Sequence, residues 1–264
     1  MNPAEWSIGV RGAVLICIAI VVISELLGVP LLRWAKAREA PSSENPTVPG
    51  APSLVVWNES TILVASDGNP VRGQFIARRC ETCHGIEGFS SRSSTPNLAG
   101  LESEYTWKQL DDFRSGKRKS IIMQRVASAL SSRDSADVAA YFSMLPSIPD
   151  TQFNPNFPQN MQDPSLTKVA GRMLSVGHPS RGIPPCQSCH GPVGYVRAAP
   201  SLGSQNSDYV LLQLDDFASD GRTNELDLPM RTIASQMHEN ERHAVAEFYG
   251  AGLGRLAVGY SIGK

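Results

Sequence analysis

"RRCETCHGIEG" occupies residues 78–88, and "PPCQSCHGPVG" repeats its pattern at 184–194. In both stretches two cysteines stand three positions apart, and a histidine follows the second one directly. Four of the five cysteines in the 264-residue chain, and two of its five histidines, belong to this pattern. The residues that form it are Cys80, Cys83 and His84 in the first copy and Cys186, Cys189 and His190 in the second.

Three chemistries use two cysteines at this spacing. A thioredoxin-like pair needs a depressed thiol pKa at a helix start within a β-α-β unit, and no strand-rich segment precedes either motif. A zinc site could take all four cysteines as ligands, but it leaves both adjacent histidines without a role. Covalent haem attachment uses every residue, because two thiols add to the vinyl groups and the imidazole binds the iron. The pattern therefore favours two haem c groups over a zinc-stapled scaffold.

The surroundings of the two motifs also repeat. "YTWKQLDDFRSGKR" at 105–118 is echoed by "YVLLQLDDFASDGR" at 209–222. "MQRVASALSSRDSADVAAYF" at 123–142 is echoed by "MRTIASQMHENERHAVAEFY" at 230–249. The offset between the copies stays between 104 and 107 residues. Such self-similarity indicates tandem copies of one fold, and we predict one haem in each copy.

The predicted fold class is all-α. The apolar residues recur at helical spacing, and no run shows strand alternation bounded by turn residues. Ser131 and Asp134 form a capping-box pair that is typical of a helix start. A copy spanning 69–146 has only 78 residues, too few to bury a comfortable core unaided. We therefore expect the haem to supply much of the apolar interior.

The two halves resemble class I cytochrome c domains, and the whole is similar to the diheme cytochrome c4 family over roughly residues 69–252. The resemblance rests on the paired C-x-x-C-H motifs, the "KQLDDFRSGKR" helix and the closing "MQRVASALSSRDSADVAAYF" segment. It implies that Met123 and Met230 are the sixth ligands of the two irons. Of the seven methionines, only these two occupy equivalent places in both copies.

The same resemblance implies a hydrogen-bond partner for each histidine on the proximal side of the haem. A proline follows each motif, and its carbonyl would accept from the imidazole, which pairs Pro96 with His84 and Pro200 with His190. Such a bond fixes the tautomer and the ring angle of a metal-binding histidine.

An apolar run near the N-terminus decides the predicted location. Gly12 to Leu32 is 21 residues, long enough to cross a bilayer as a helix. A cleaved signal peptide is the alternative, with "AKA" at 35–37 as its processing site. The basic residues after the span would alone place the following part in the cytoplasm. Large domains cross largely regardless of such counts, and haem attachment in the resembling family occurs outside the cytoplasmic membrane. We therefore expect the haem domains to face the periplasm from the bacterial inner membrane.

The charge of the chain is nearly balanced, with 24 basic and 25 acidic residues, but it is unevenly distributed. Residues 69–146 hold 11 Lys and Arg against 8 Asp and Glu, whereas 147–264 hold 9 against 11. No nucleic-acid motif accompanies this mild bias. The predicted organisation is a membrane anchor or signal-like segment at 1–39, a Pro-rich tether at 40–68, a first cytochrome c domain at 69–146, a linker at 147–166, a second domain at 167–252 and a tail at 253–264.

We expect an electron carrier and not an enzyme, because nothing in the sequence resembles a substrate pocket with an acid, a base or a nucleophile. The resemblance implies a periplasmic respiratory chain, with a quinol–cytochrome c oxidoreductase or a dehydrogenase as donor and a terminal oxidase as acceptor. One alternative is a haem-bearing, permanent subunit of a membrane dehydrogenase or oxidase complex. The other is a diheme peroxidase, which needs an iron with an open position, and the paired methionines argue against that.

Overall fold

Two sets of helices with the same order follow one another along the chain. The computed structural model describes residues 53, 55–147, 164–191, 196–197, 199–203, 205–226 and 229–251. In these residues the one β feature is an isolated bridge between His178 and Ile183. The prediction of an all-α fold is confirmed.

The first set is preceded by a helix that the sequence did not suggest, α1. The bounds in this half are α1 Glu59–Ser66, α2 Pro70–Ala77, α3 Glu81–His84, α4 Ser103–Arg114, α5 Ile121–Ser128 and α6 Ser132–Met144. The second set consists of α7 Pro164–Ser175, α8 Gln187–His190, α9 Ser207–Ala218, α10 Pro229–Gln236 and α11 Glu239–Gly250. The predicted linker ends earlier than expected, since α7 begins at Pro164.

Local signals explain where the helices of the first domain start. The Asn69 side chain accepts from the backbone N–H groups of the first turn of α2, and Pro70 occupies the first helical position, where its missing N–H costs nothing. The predicted capping box is present at α6: the Ser131 hydroxyl accepts from Asp134 N, and the Asp134 carboxylate accepts from Ser131 N. A cap of this kind stabilises a helix by about 1 kcal/mol.

Each domain has its own apolar core. In the first domain Phe142 is fully buried and packs with Val138 of α6 and Ala77 of α2. In the second domain the largest fully buried side chains are Tyr249 and Met173, on α11 and α7. Each core thus lies between the helix that leads into the cysteine motif and the closing helix, so that packing fixes where the motif sits.

Residues 55–66 differ from the tether predicted for 40–68. Val55 and Ala65 are buried against Trp107 of α4, and the rings of Trp57 and Trp107 lie 6.2 Å apart. The physical reason is compositional, because every proline of 40–68 precedes residue 53 and apolar side chains follow. This stretch therefore packs against the first domain and is part of it.

No helix in the described part of the chain is long and apolar enough to cross a membrane. The predicted span at 12–32 lies outside the described residues, as do the rest of the predicted anchor, most of the linker and the whole tail.

The two domains meet through polar side chains at equivalent positions of the repeat, within one compact unit that spans 47–264. Arg118 donates to Gln109 Oε1 at 2.8 Å and to Gln213 Oε1 at 2.7 Å. Arg222 donates to the same two oxygens, at 3.1 and 2.7 Å. Each arginine therefore binds the glutamine of both domains, which ties the two domains together.

Candidate haem-binding sites

The cysteine motifs lie on the two shortest helices. Cys80 stands at the N-cap of α3 and His84 is its last residue; Cys186 and His190 have the same places on α8. In both, the histidine N–H donates to the carbonyl of the first cysteine at 2.9 Å. Residues three apart on a helix share a face, so each turn presents its two thiols side by side. All four thiols are free.

Each motif histidine is held by the proline carbonyl that the resemblance implied. His84 Nδ1 lies 2.9 Å from Pro96 O, and His190 Nδ1 lies 2.8 Å from Pro200 O. Because a carbonyl can only accept, Nδ1 carries the proton and Nε2 keeps its lone pair. Burial lowers the pKa of both imidazoles, and the hydrogen bond to the carbonyl opposes this only in part. The neutral imidazole with a free Nε2 is the form that binds iron.

The first cysteine of each motif lies in surroundings that disfavour the thiolate. Burial raises the pKa of Cys80 to about 11 and that of Cys186 to about 12. A thioredoxin-like site would need the opposite shift. Within the described part of the chain, which includes all four motif cysteines, no three His, Cys, Asp or Glu side chains come together as a metal site. The four motif cysteines are thus not brought together in one place, whereas the zinc alternative needs them as a single set of ligands.

The two candidate methionines pack inside the domains. Met230 contacts the same core cluster as Cys186. Met123 packs with Leu110 and Phe113, and this cluster is joined through Ile76 to the one that contains Cys80. Outside this pair, Met144 is 71 % exposed, and Met173 and Met237 are buried core residues. Met123 and Met230 are thus partly buried residues, each packed against a core cluster of its own domain, and their role as iron ligands stays a prediction.

The domain interface offers counter-charges for a haem. Arg118 and Arg222 stack on Phe113 and Phe217, at 4.7 and 4.5 Å from the ring centroids. Their side chains donate to the two glutamines already described, and Arg118 also donates to Tyr209 and Arg222 to Asn224. Both arginines are partly exposed, and the Asp112 and Asp216 carboxylates balance part of their charge. The remaining positive charge would suit the propionates of a haem. The donor set and the interface therefore fit two haem groups.

Some of these residues were missed from sequence. Arg118 and Arg222 could have been found, because both copies keep an arginine at the same distance after "QLDDF". Glu102 and Gln205, which reach across to the loops of Pro200 and Pro96, have no equivalent of the same type in the other copy. No pattern in the sequence could have indicated them.

Comparisons with known proteins agree with this arrangement. A family model described as Cytochrome c matches residues 70–146, the first domain. Cytochrome c4 of Pseudomonas aeruginosa is 34 % identical over 200 residues, which cover 74 % of this chain and 94 % of that protein. The thiosulfate dehydrogenase electron acceptor of Stutzerimonas stutzeri is 35 % identical over 202 residues, 74 % of this chain and 90 % of that protein. The crystal structure of reduced recombinant cytochrome c4 from Pseudomonas stutzeri superposes with a TM-score of 0.62 at 31 % identity, covering 70 % of this chain and 98 % of that one.

Proposed function

The chain belongs to the cytochrome c4 family of diheme c-type cytochromes, and from this premise we propose that it carries electrons in a periplasmic respiratory chain. It binds two covalently attached haem c groups, each of which takes up and releases one electron. The observation that carries the proposal is the repeated site: in both domains a neutral imidazole, one residue after a pair of free thiols, is fixed by a proline carbonyl. Two such sites joined by one interface suit a relay.

We assign the ligands by domain. Cys80 and Cys83 would hold the first haem as thioethers, with His84 and Met123 as axial ligands; Cys186, Cys189, His190 and Met230 would do the same in the second. With a histidine and a methionine bound to each iron, neither would have an open position. This favours a carrier over a diheme peroxidase, which must bind peroxide at the metal.

The basic experiment measures haem content and electron transfer separately. A pyridine haemochrome spectrum of the purified protein should give two haems per chain, and a redox titration should give two one-electron steps. The reduced protein should then be reoxidised by a terminal oxidase and re-reduced by a quinol–cytochrome c oxidoreductase. Two intact haems without turnover in either reaction would exclude the respiratory role and leave the subunit alternative.

A thiosulfate dehydrogenase is a second candidate donor. It is favoured by the 35 % identical relative that is named as the electron acceptor of such an enzyme. Mixing the oxidised protein with thiosulfate dehydrogenase and thiosulfate, beside an equal mixture with the quinol-oxidising complex, should show which donor reduces it faster.

The membrane anchor remains part of the proposal, on the basis of the apolar run at 12–32. In cells, the haem-stained protein should stay in the membrane fraction through washes with high salt and alkaline carbonate. Replacing residues 1–39 with a cleavable secretion signal should release it to the periplasm with both haems attached. Release of the unaltered protein by carbonate would mean that the segment is cleaved or does not insert.

We further expect a partner with an acidic contact surface to dock on the first domain. Lys119 and Arg125 are exposed there, in the half with the basic excess. Because such attraction acts on the association rate and is screened by salt, the rate of reaction with that partner should fall by about tenfold between low and physiological salt. Stopped-flow rates should lose this dependence in Lys119→Glu/Arg125→Glu. The control Lys168→Glu changes an exposed lysine of the second domain and should keep it. A flat dependence in the unaltered protein would remove the idea.

A further inference from the structure

Each proximal histidine is bonded to a peptide group whose opposite end is held by the other domain. The Pro200 carbonyl accepts from His190, and the N–H of that same peptide, on Ser201, donates to both carboxylate oxygens of Glu102 at 3.1 and 3.3 Å. Glu102 belongs to the first domain, where it precedes α4. One planar peptide thus stands between a carboxylate of domain 1 and the imidazole of domain 2.

The same arrangement occurs in the opposite direction, where a residue of the second domain bonds the peptide beside His84 of the first. The Pro96 carbonyl accepts from His84, and the N–H of that peptide, on Asn97, donates to Gln205 Oε1 at 2.7 Å. Gln205 is buried, and its amide nitrogen donates back to Asn97 O at 3.0 Å. Here the acceptor across the interface is a neutral amide and not a carboxylate.

A peptide group transmits such a bond, because its N–H and C=O share one conjugated system. Donation from the N–H polarises the group and makes its carbonyl a better acceptor, and an ionised acceptor does this more strongly than a neutral one. A better carbonyl acceptor holds the imidazole Nδ1–H more tightly, which raises the basicity of Nε2 as a ligand. A more basic ligand favours ferric iron, and hydrogen bonding of this kind tunes redox potentials.

We propose that Glu102 and Gln205 are positioning residues that tune the iron of the opposite domain through the Pro200–Ser201 and Pro96–Asn97 peptides. We call each chain of hydrogen bonds, from the side chain through the peptide to the imidazole, a hydrogen-bond relay. The carboxylate acts on the second haem and the amide on the first, so that the hydrogen-bond relay lowers the potential of the second haem more than that of the first. The two positions are not equivalent in the repeat: Asn206 stands where Glu102 is, and Leu101 where Gln205 is. The hydrogen-bond relays therefore differ by sequence, and each can be altered alone. This inference rests on the proposed assignment of His84 and His190 as iron ligands.

The test is Glu102→Gln in the full-length protein with both haems. The amide can still accept from Ser201 N–H but has lost its charge. In the reduced, diamagnetic protein the His190 Nδ1 proton should move upfield in a ¹H–¹⁵N spectrum, and the potential of the second haem should rise. The His84 Nδ1 proton should stay in place. Gln205→Leu, which copies Leu101 of the other copy and removes the acceptor of the Asn97 N–H, should give the corresponding result in the first domain, an upfield shift at His84 and a higher potential of the first haem.

Glu104→Gln is the matched control. It removes the same charge two residues further along the chain, from a carboxylate that pairs with Arg197 and not with Ser201. It reports how far the loss of charge alone moves a potential through space. A His190 Nδ1 shift that is absent in Glu102→Gln, or equal in both variants, would overturn the hydrogen-bond relay. That outcome is distinct from failure of the proposed function, which would show in the unaltered protein as fewer than two low-spin haems with histidine ligation.

Discussion

Replacing Met123 with histidine should lower the potential of the first haem and leave the second unchanged apart from a small electrostatic effect. Imidazole stabilises ferric iron better than a thioether does. The backbone at this position is fixed independently of the side chain, because the Ser120 hydroxyl caps α5 by accepting from Met123 N at 3.2 Å. The substitution should therefore exchange one ligand for another without moving the helix.

Three measurements check this result. The weak near-infrared sulfur-to-iron band of the oxidised protein should fall by half, and a redox titration should show one displaced step and one retained step. Every 59 mV of displacement changes the equilibrium for one electron about tenfold, so electron flow between the domains should slow although both haems remain bound. Met144→His is the comparison, since Met144 is 71 % exposed and its replacement should change neither potential. Unchanged potentials in Met123→His, with a displaced step in Met144→His, would transfer the ligand role to Met144.

The features that sequence predicted are those that depend on residues close together in the chain. The capping box of Ser131 and Asp134 spans three positions, and the turn of Cys80 to His84 spans four. Their geometry follows from helix spacing alone, and the repeat supplied a second instance of the cysteine motif. For this reason the all-α class and the two motifs could be predicted from the residues themselves, and the family resemblance that the motifs carry supplied the proline partners.

The features that sequence did not predict depend on contacts between distant residues. Glu102 and Ser201 are 99 positions apart, and neither belongs to a motif. The prolines that precede Trp57 favour a tether there, although its ring packs against Trp107 and under the Arg197 guanidinium of the second domain. Periodicity describes how one helix buries a face. It does not say which distant segment covers that face.

A buried ion pair in the first domain joins residues four apart on one helix, but its further partners are distant in the chain. Lys108 Nζ lies 2.5 Å from Asp112 Oδ2 and 2.6 Å from the Asn224 carbonyl of the second domain. Asp112 also accepts from Ser53 Oγ at 2.5 Å and from Asn224 Nδ2 at 2.7 Å. Both charged side chains are nearly inaccessible, at 3 % and 1 % exposure. Burial lowers the pKa of Lys108, and the Asp112 carboxylate opposes this. In the other copy a leucine, Leu212, occupies the position of Lys108, so the pair marks the first domain alone.

Lys108→Leu, which copies the residue of the second domain, should destabilise the protein by about 3–5 kcal/mol, because it leaves the Asp112 carboxylate buried without its cation. At about 2–4 °C per kcal/mol for a protein of this size, thermal unfolding of the haem-loaded protein should begin roughly 10 °C lower. Lys119→Leu removes the same charge from an exposed site, and its free energy of unfolding should stay within about 0.5 kcal/mol of that of the unaltered protein.

The double variant Lys108→Leu/Asp112→Leu should lose less free energy of unfolding than the sum of its single changes, since neither charge is then left alone. Strict additivity in that cycle, or a Lys108→Leu protein as stable as Lys119→Leu, would mean that Lys108 and Asp112 do not stabilise one another.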